Sequence, residues 1–334
     1  LGQAFFLGLT TLASAGFIGE IARRRRRQQR LRRTGERIPL PAAKTPAAAA
    51  ELELRRAPQL LKVEDLKRAL HALAPACANA GRDLPRIGVV RVGDHTVELL
   101  LTEDDDAAPA HPFIARGPRT WTAAHHDLTD PVQPDDLDDY PEPYPALVTI
   151  GGDHEAVILV NLEAAGILSI ESADDEAVRA TMRAIACELA TSTLSDRAVV
   201  LVEPELCDLA DACGSVLLDA ADNHQAMARR LKSDIKRAAD VLDGAGVKDA
   251  LHARSERTAE STWNATVFLG TELRPESAPP WSAVAVVKAG PTDSEPRWRL
   301  EITGPGHGWL EPLGIELLPA HLSDDAFAHL LELV

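Results

Sequence analysis

Short apolar segments alternate with long amphipathic ones from Ala146 onward, and this alternation constrains the fold more than any other feature of the chain. Helices are predicted over 174–191 and around 222–243. Strands that are apolar on both faces are typical of a largely parallel sheet covered by helices. The predicted strands are ALVTIG, EAVILVNL, GILSI, AVVLVEP, SVLLD, WNATVFLG, WSAVAVVKAG and RWRLEITG. The pattern predicts an α/β fold over residues 146–334, with late antiparallel strands as an edge addition.

The preceding residues, 59–145, predict a small α+β unit. A helix is expected over 63–80, where four residues recur at helical spacing: Leu66, Leu70, Leu73 and Cys77. Two strands, RIGVVRV and TVELLLT, come next and are joined by the hairpin signal Gly93-Asp94. RTWTA is a third strand, and the acidic, Pro-rich segment that ends at residue 145 is an extended connector.

The segment ILSIESADDEAVRATMRAIACELA, residues 167–190, has the strand–turn–helix order of a nucleotide-binding P-loop. Counted from the end of the strand, Glu171 stands where the first glycine is needed, Ala177 where lysine is needed, and Val178 where Ser or Thr is needed. A carboxylate facing a phosphate charge at ~4 Å costs on the order of 4 kcal/mol at an effective dielectric near 20. The alternative is a capped helix, with Ser172 as the cap and Asp175 closing a capping box. The sequence predicts a P-loop-NTPase-like layered sheet with a degenerate phosphate loop.

No other segment carries a catalytic motif. Glu272 comes after the strand where an NTPase would keep an acid, and a solvated turn residue is its expected role. The histidine clusters HHD (125–127) and GGDH (151–154) lack helical metal-ligand spacing, and GGDH is expected to be a hairpin turn. The four cysteines predict buried, reduced thiols rather than disulfides or a zinc site. The sequence therefore assigns no catalytic residue, no cofactor and no metal ligand.

The N-terminus predicts a membrane anchor. Residues 1–22 hold the apolar run AFFLGLTTLASAGFIGEI, which is long enough to cross a bilayer. Residues 23–58 form a basic juxtamembrane segment and a Pro/Ala linker. Arginines directly after an apolar run place the rest of the chain in the cytoplasm, whereas a signal peptide would have its basic residues first. The arginines expected to face anionic lipid are Arg23, Arg24, Arg25, Arg26, Arg27, Arg30, Arg32 and Arg33.

Charge is distributed unevenly along the chain. The net charge is −16, but residues 1–37 carry about +7, so the remainder carries about −23. An acidic body argues against broad nucleic-acid binding by that part. An arginine-rich arm that binds nucleic acid is the alternative to the lipid-facing interpretation.

Several stretches resemble one class of protein. VILVNLEAAGILSIESADDEAVRATMRAIACELATSTLSDRAVVLV, the unit before it, the ending WRLEITGPGHGWLEPLGIELLPAHLSDDAFAHLLELV and the segment RRRRRQQRLRRTGERIPLP resemble large membrane-anchored actinobacterial proteins with a bacterial transcriptional activator domain, often with LysM modules. The strand–helix order also resembles the motor domain of DNA-translocase and secretion ATPases. The first resemblance implies a DNA-binding unit beyond Val334, and the second implies an ATPase fold reused as a scaffold.

These features predict a non-enzymatic, membrane-anchored cytoplasmic protein with a regulatory or assembly role. Its α/β domain is expected to bind a protein partner or itself, and its basic segment to meet the cell membrane. Two rivals stay open. One is an NTPase whose phosphate site is unrecognised or completed by a neighbouring subunit. The other is a transcriptional regulator that binds DNA through sequence after residue 334.

Overall fold

The computed structural model describes residues 63–105, 109–129, 137–213, 217–275, 277–291, 298–304 and 306–331. The predicted transmembrane helix over 1–22 and the eight lipid-facing arginines lie outside the described residues. Within the described ranges, no helix combines the length and the apolar character needed to cross a membrane.

The first part of the described chain is one long helix followed mainly by strands. Its elements are α1 (Val63–Asn79), β1 (Ile87–Gly93), β2 (Thr96–Leu101), β3 (Ile114–Gly117), β4 (Thr120–Ala124), α2 (His125–Thr129), β5 (Leu147–Gly152) and β6 (Ala156–Asn161). Helix α1 confirms the predicted spacing, because all four residues of its apolar face are buried. The Gly93-Asp94 hairpin is confirmed by the antiparallel pairing of β1 with β2.

The rest of the described chain alternates helices and strands as far as β9, and two helices, five consecutive strands and a last helix follow. Its elements are α3 (Leu162–Ala165), β7 (Ile167–Ser172), α4 (Asp175–Thr191), β8 (Val199–Val202), α5 (Cys207–Cys213), β9 (Leu218–Ala220), α6 (His224–Ala245), α7 (Ala250–Ser255), β10 (Thr266–Gly270), β11 (Val284–Ala289), β12 (Trp298–Gly304), β13 (His307–Glu311), β14 (Ile315–Pro319) and α8 (Asp324–Leu331).

All of these strands belong to one 14-stranded sheet in the order β3-β4-β2-β1-β6-β5-β14-β13-β12-β7-β11-β10-β8-β9. The strands from β12 to β9 in this order are parallel, and those from β3 to β12 are antiparallel. The predicted α/β class is confirmed. The late antiparallel strands are not an edge addition, because β13 and β14 lie inside the sheet and join β12 to β5. Their position in the sheet could not be predicted from the sequence, because the pairing of β14 with β5 joins residues far apart in the chain.

Helices cover both faces of the parallel strands. Helix α4 packs Met182, Ile185 and Leu189 on one face, together with Leu168 and Ile170 of β7. Helix α6 covers the other face with a stripe at helical spacing that contacts Phe268 and Val286: Met227, Leu231 and Ala238. Full burial of each large apolar side chain contributes about 1.5–3 kcal/mol, so these two layers fix the carboxyl ends of the strands in place.

Two buried polar contacts join elements that are distant in sequence. In α7, Arg254 donates two hydrogen bonds of 2.8 Å to the Glu163 carboxylate of α3, and both side chains are fully buried. In α4, Glu188 accepts hydrogen bonds from the Thr149 amide (3.0 Å) and hydroxyl (2.8 Å) of β5. Glu188 therefore connects the helix that comes after β7 to the antiparallel part of the sheet.

Candidate functional site at the carboxyl edge of the parallel strands

The connections of β7 and β11, which are neighbours in the sheet, leave in opposite directions. Helix α4 carries the chain from β7 across β11 and β10 to β8, whereas the connection after β11 crosses β7 to reach β12. In open parallel sheets, ligands bind outside the carboxyl ends of strands at such a switch point. The edge formed by the last residues of β7, β11, β10 and β8 is therefore the candidate site.

The turn between β7 and α4 is short. Only Ala173 and Asp174 separate the strand from the helix. Glu171 and Ser172 are still strand residues, in register with Glu301 and Ile302 of β12. The P-loop motif places about six residues between its strand and its helix, so that backbone N–H groups can surround a phosphate. Here the first two positions of such a loop are part of the sheet.

The start of α4 is capped by Asp174. Its carboxylate accepts a 2.9 Å hydrogen bond from the Glu176 amide, and the Ser172 hydroxyl accepts one of 3.1 Å from the Asp174 amide. The expectation that Ser172 caps the helix and Asp175 closes a capping box is wrong. The extended residue before the first turn is Asp174, with φ −106° and ψ 108°, because the helix begins at Asp175.

The predicted lysine and Ser/Thr positions, Ala177 and Val178, lie in the first two turns of α4. Val178 is 6% exposed and belongs to the core beneath the helix. Glu176, the residue before Ala177, is paired, because its carboxylate lies 3.1 Å from Arg179 and 2.9 Å from Arg183. The guanidinium of Arg183 also pairs with Asp324 at the start of α8 at 2.5 Å.

Arg299, a basic residue of another strand, lies beside Glu171. The Arg299 guanidinium of β12 is 3.8 Å from the Glu171 carboxylate, which also accepts a 3.3 Å hydrogen bond from the Ser169 hydroxyl. Lys288 of β11 is opposite Ser169 and is 3% exposed. Its ammonium donates to the carbonyls of Gly290 (2.7 Å) and Pro291 (2.5 Å). Arg299 comes more than a hundred residues after Glu171, whereas Arg179 and Arg183 are close in sequence to Glu176, the acid that they pair with.

A second polar interaction joins the residues that follow β8 and β10. Glu203, directly after β8, is 5% exposed, and its Oε2 accepts hydrogen bonds from the Thr271 amide (2.6 Å) and hydroxyl (2.9 Å). Burial raises the pKa of the Glu203 carboxyl, the two Thr271 hydrogen bonds oppose that rise, and the Glu205 charge adds to it. Glu272 is exposed in the turn after β10, as expected.

Glu205 and His224 lie next to Glu203. His224 is the first residue of α6, and its Nε2 is 3.0 Å from the Glu205 carboxylate. One candidate ligand atom from each of the three residues lies within 4.8 Å of those of the other two. This group is not predicted from the sequence. Its members are separated by up to 21 positions, and only the pairing of β8 between β10 and β9 brings them together.

The histidine clusters expected at the surface lie away from this edge. HHD (125–127) begins α2, where His126 contacts Asp127 at 3.1 Å. GGDH (151–154) is confirmed as the β5–β6 hairpin, and Asp153 accepts hydrogen bonds there from the Glu155 and Ala156 amides. Cys77 and Cys187 are buried as expected, whereas the expectation is wrong for Cys207, which is exposed at the start of α5.

No family model matches the chain, and no curated protein matches it. The resemblance to regulators with a bacterial transcriptional activator domain therefore stays a prediction.

Among solved structures, the pCW3 conjugation coupling protein TcpA is similar to this chain at 9% identity and a TM-score of 0.37, over 81% of this chain and 98% of that one. Thermomonospora curvata EccC (ATPases 2 and 3) is similar at 13% identity and a TM-score of 0.40, over 57% of this chain and 47% of that one. Geobacillus thermodenitrificans EssC (ATPases 2 and 3) is similar at 8% identity and a TM-score of 0.40, over 57% and 49%. The chain thus spans about half the length of these EccC and EssC structures. TM-scores this low leave function to be argued from the chain's own residues.

Proposed function

We propose that this chain is a non-catalytic, membrane-anchored cytoplasmic protein that regulates or assembles other proteins through its α/β domain. The observation that carries the proposal is the two-residue connection between β7 and α4. Glu171 is held in the sheet and Asp174 is used as a helix cap, so the turn offers carboxylates where a phosphate would need N–H donors. The domain thus keeps a sheet typical of nucleotide-binding proteins and serves as a scaffold.

The membrane part of the proposal rests on sequence outside the described residues. An apolar run followed by arginines anchors the chain, and the eight arginines meet anionic lipid, each contributing about 1 kcal/mol near the surface. The protein should stay in the membrane fraction after extraction at alkaline pH. In inside-out vesicles a protease should remove residues 59–334, and protection of this body would contradict the cytoplasmic assignment.

Nucleotide binding is the measurement that tests the non-catalytic assignment. We expect calorimetric titration of the full chain in detergent with ATP and GTP, with and without Mg²⁺, to give no binding heat up to millimolar nucleotide. Dissociation constants in the micromolar range would overturn the proposal.

A rival NTPase function is favoured by one observation, the position of the Arg299 guanidinium 3.8 Å from Glu171 near the end of β7. This cation could meet a phosphate if a neighbouring subunit supplied the N–H donors. The rival predicts ATP hydrolysis whose specific rate rises with protein concentration and falls in Arg299→Gln. The scaffold proposal predicts no hydrolysis at any concentration.

A further inference from the structure

Glu203, Glu205 and His224 form a group of three metal-ligating side chains from three elements: the end of β8, the short 3₁₀ helix Pro204–Leu206 and the start of α6. Zinc bound by carboxylate oxygen and imidazole nitrogen at about 2.0–2.2 Å in a tetrahedral site keeps its ligand atoms about 3.4 Å apart. Two of the atoms are already 3.0 Å apart, and all three lie within 4.8 Å. The side chains of Glu205 and His224 are 61% and 41% exposed, so small rotamer changes can close the remaining gap.

The buried member of the group is held rigidly. The Glu203 amide donates to the Leu269 carbonyl at 3.0 Å, and its own carbonyl accepts from the Leu206 amide at 3.0 Å. Thr271 fixes Oε2 of its carboxylate through two hydrogen bonds. Metal-binding carboxylates are commonly oriented by such outer hydrogen bonds.

The same carboxylate has no strong cation beside it. Across the described ranges, no lysine or arginine forms an ion pair with Glu203, which is 5% exposed. A second carboxylate, Glu205, is its neighbour instead. Two acids beside one imidazole leave a net negative site, and a divalent cation supplies the missing charge.

We propose that Glu203, Glu205 and His224 bind one divalent transition-metal ion of the zinc class. Three protein ligands leave the fourth position of a tetrahedral ion to water. The ion joins the end of β8 to the first residue of α6, the helix that covers one face of the parallel strands. The site does not depend on whether nucleotide binds at β7.

Calorimetry of the metal-free full chain with Zn²⁺ and absorption spectroscopy with Co²⁺ test this proposal. We expect one Zn²⁺ per chain, a Co²⁺ d–d spectrum typical of tetrahedral O/N ligation, and a higher Tm with Zn²⁺. Glu205→Gln and His224→Gln change exposed side chains, and each should weaken Zn²⁺ at least about a hundredfold. Thr271→Val removes the outer hydrogen bond and should weaken it by about 10–100-fold.

Two matched controls separate this site from adventitious binding. His307 and Glu316 form a similar surface pair at 2.9 Å, and His307→Gln should leave Zn²⁺ affinity unchanged. Cys207 is an exposed thiol two positions from Glu205, and Cys207→Ser should also have no effect. The proposal fails if the full chain binds no Zn²⁺ up to about millimolar concentration. It fails equally if Cys207→Ser abolishes binding, or if Glu205→Gln and His224→Gln leave binding unchanged.

Discussion

The buried carboxyl of Glu188 links the stability of the fold to pH. Burial raises the pKa of its carboxyl from 4.5 to about 7, against the opposing hydrogen bonds from Thr149. The folded state then holds the proton more tightly than the unfolded chain. The resulting stabilisation is complete below about pH 4.5 and is lost as the pH rises to about 7. We expect this carboxyl to lower the free energy of unfolding by on the order of 3 kcal/mol across that window.

Glu188→Gln isolates this effect. The glutamine oxygen can still accept both hydrogen bonds from Thr149 but carries no titrating proton. Urea unfolding followed by tryptophan fluorescence from pH 4.5 to pH 8 should show the wild type losing stability relative to Glu188→Gln as the pH rises. Glu64→Gln, on the exposed face of α1, is the matched control and should behave like the wild type. Parallel pH profiles for wild type and Glu188→Gln would contradict the assignment.

The Arg254–Glu163 pair is the second residue-scale prediction. Arg254 satisfies the Glu163 carboxylate and also donates to the carbonyls of Pro143, Thr262 and Trp263. Removing one partner leaves a buried charge without compensation, so Glu163→Gln and Arg254→Met should each cost about 3–5 kcal/mol.

A double-mutant cycle measures how these two residues act together. The double variant Glu163→Gln/Arg254→Met should be less destabilised than the sum of the two single variants, because no lone charge remains. Additive losses in urea unfolding would show that the two side chains act independently.

At the scale of elements, the start of α4 distinguishes a capped helix from a remnant phosphate loop. Asp174→Ala removes the cap and should lower the free energy of unfolding by about 0.5–2 kcal/mol. Asp175→Ala should cost less, about 0.3–1 kcal/mol, because Asp175 interacts only with the helix dipole. Both values come from urea unfolding at pH 8. A larger loss for Asp175→Ala than for Asp174→Ala would instead favour the Ser172–Asp175 capping box that the sequence suggested.

Local patterns predicted most of the longer elements but missed β3, β13 and β14, and they could not predict how distant strands pair. The apolar spacing of α1 and the continuous apolar run of β7 depend on neighbours in the chain, so their positions can be predicted from sequence to within about two residues. The place of β14 beside β5 depends on a partner far away in the sequence. For the same reason, the sequence could not predict that Arg299 lies near Glu171 or that Glu203 lies near His224. The ends of several strands meet at one edge of the sheet, so residues there are close in space although their spacing in the sequence does not indicate it.

At the scale of the whole molecule, one core crosses the antiparallel and parallel parts of the sheet. Val89 of β1 and Ile158 of β6 belong to the same apolar cluster as Val200 of β8 and Leu300 of β12. The backbone pairing between β5 and β14 is much thinner, with only Gly151 and Gly152 in register with Pro319 and Leu318. The shared core predicts that the strands on the two sides of the β5–β14 pairing unfold together.

Hydrogen exchange in the full chain tests this coupling and the role of the thin joint. In the wild type, amides of β1 and β8 should open with the same free energy, since a shared core makes unfolding cooperative. A Cβ added at Gly151 would lie 2.2 Å from the Leu318 carbonyl oxygen, so Gly151→Ala must push β14 away from β5. Gly117→Ala is the matched strand control, because nothing lies within 4 Å of its added Cβ.

We expect Gly151→Ala to lower the opening free energies of β1 and β8 by unequal amounts, because it breaks the joint while leaving the interior of each part intact. Gly117→Ala should keep the two values equal. Unequal values already present in the wild type would mean that the strands on the two sides of the β5–β14 pairing are separate cooperative units. Equal values in Gly151→Ala would mean that the apolar core alone, without the β5–β14 ladder, is enough to unite the molecule.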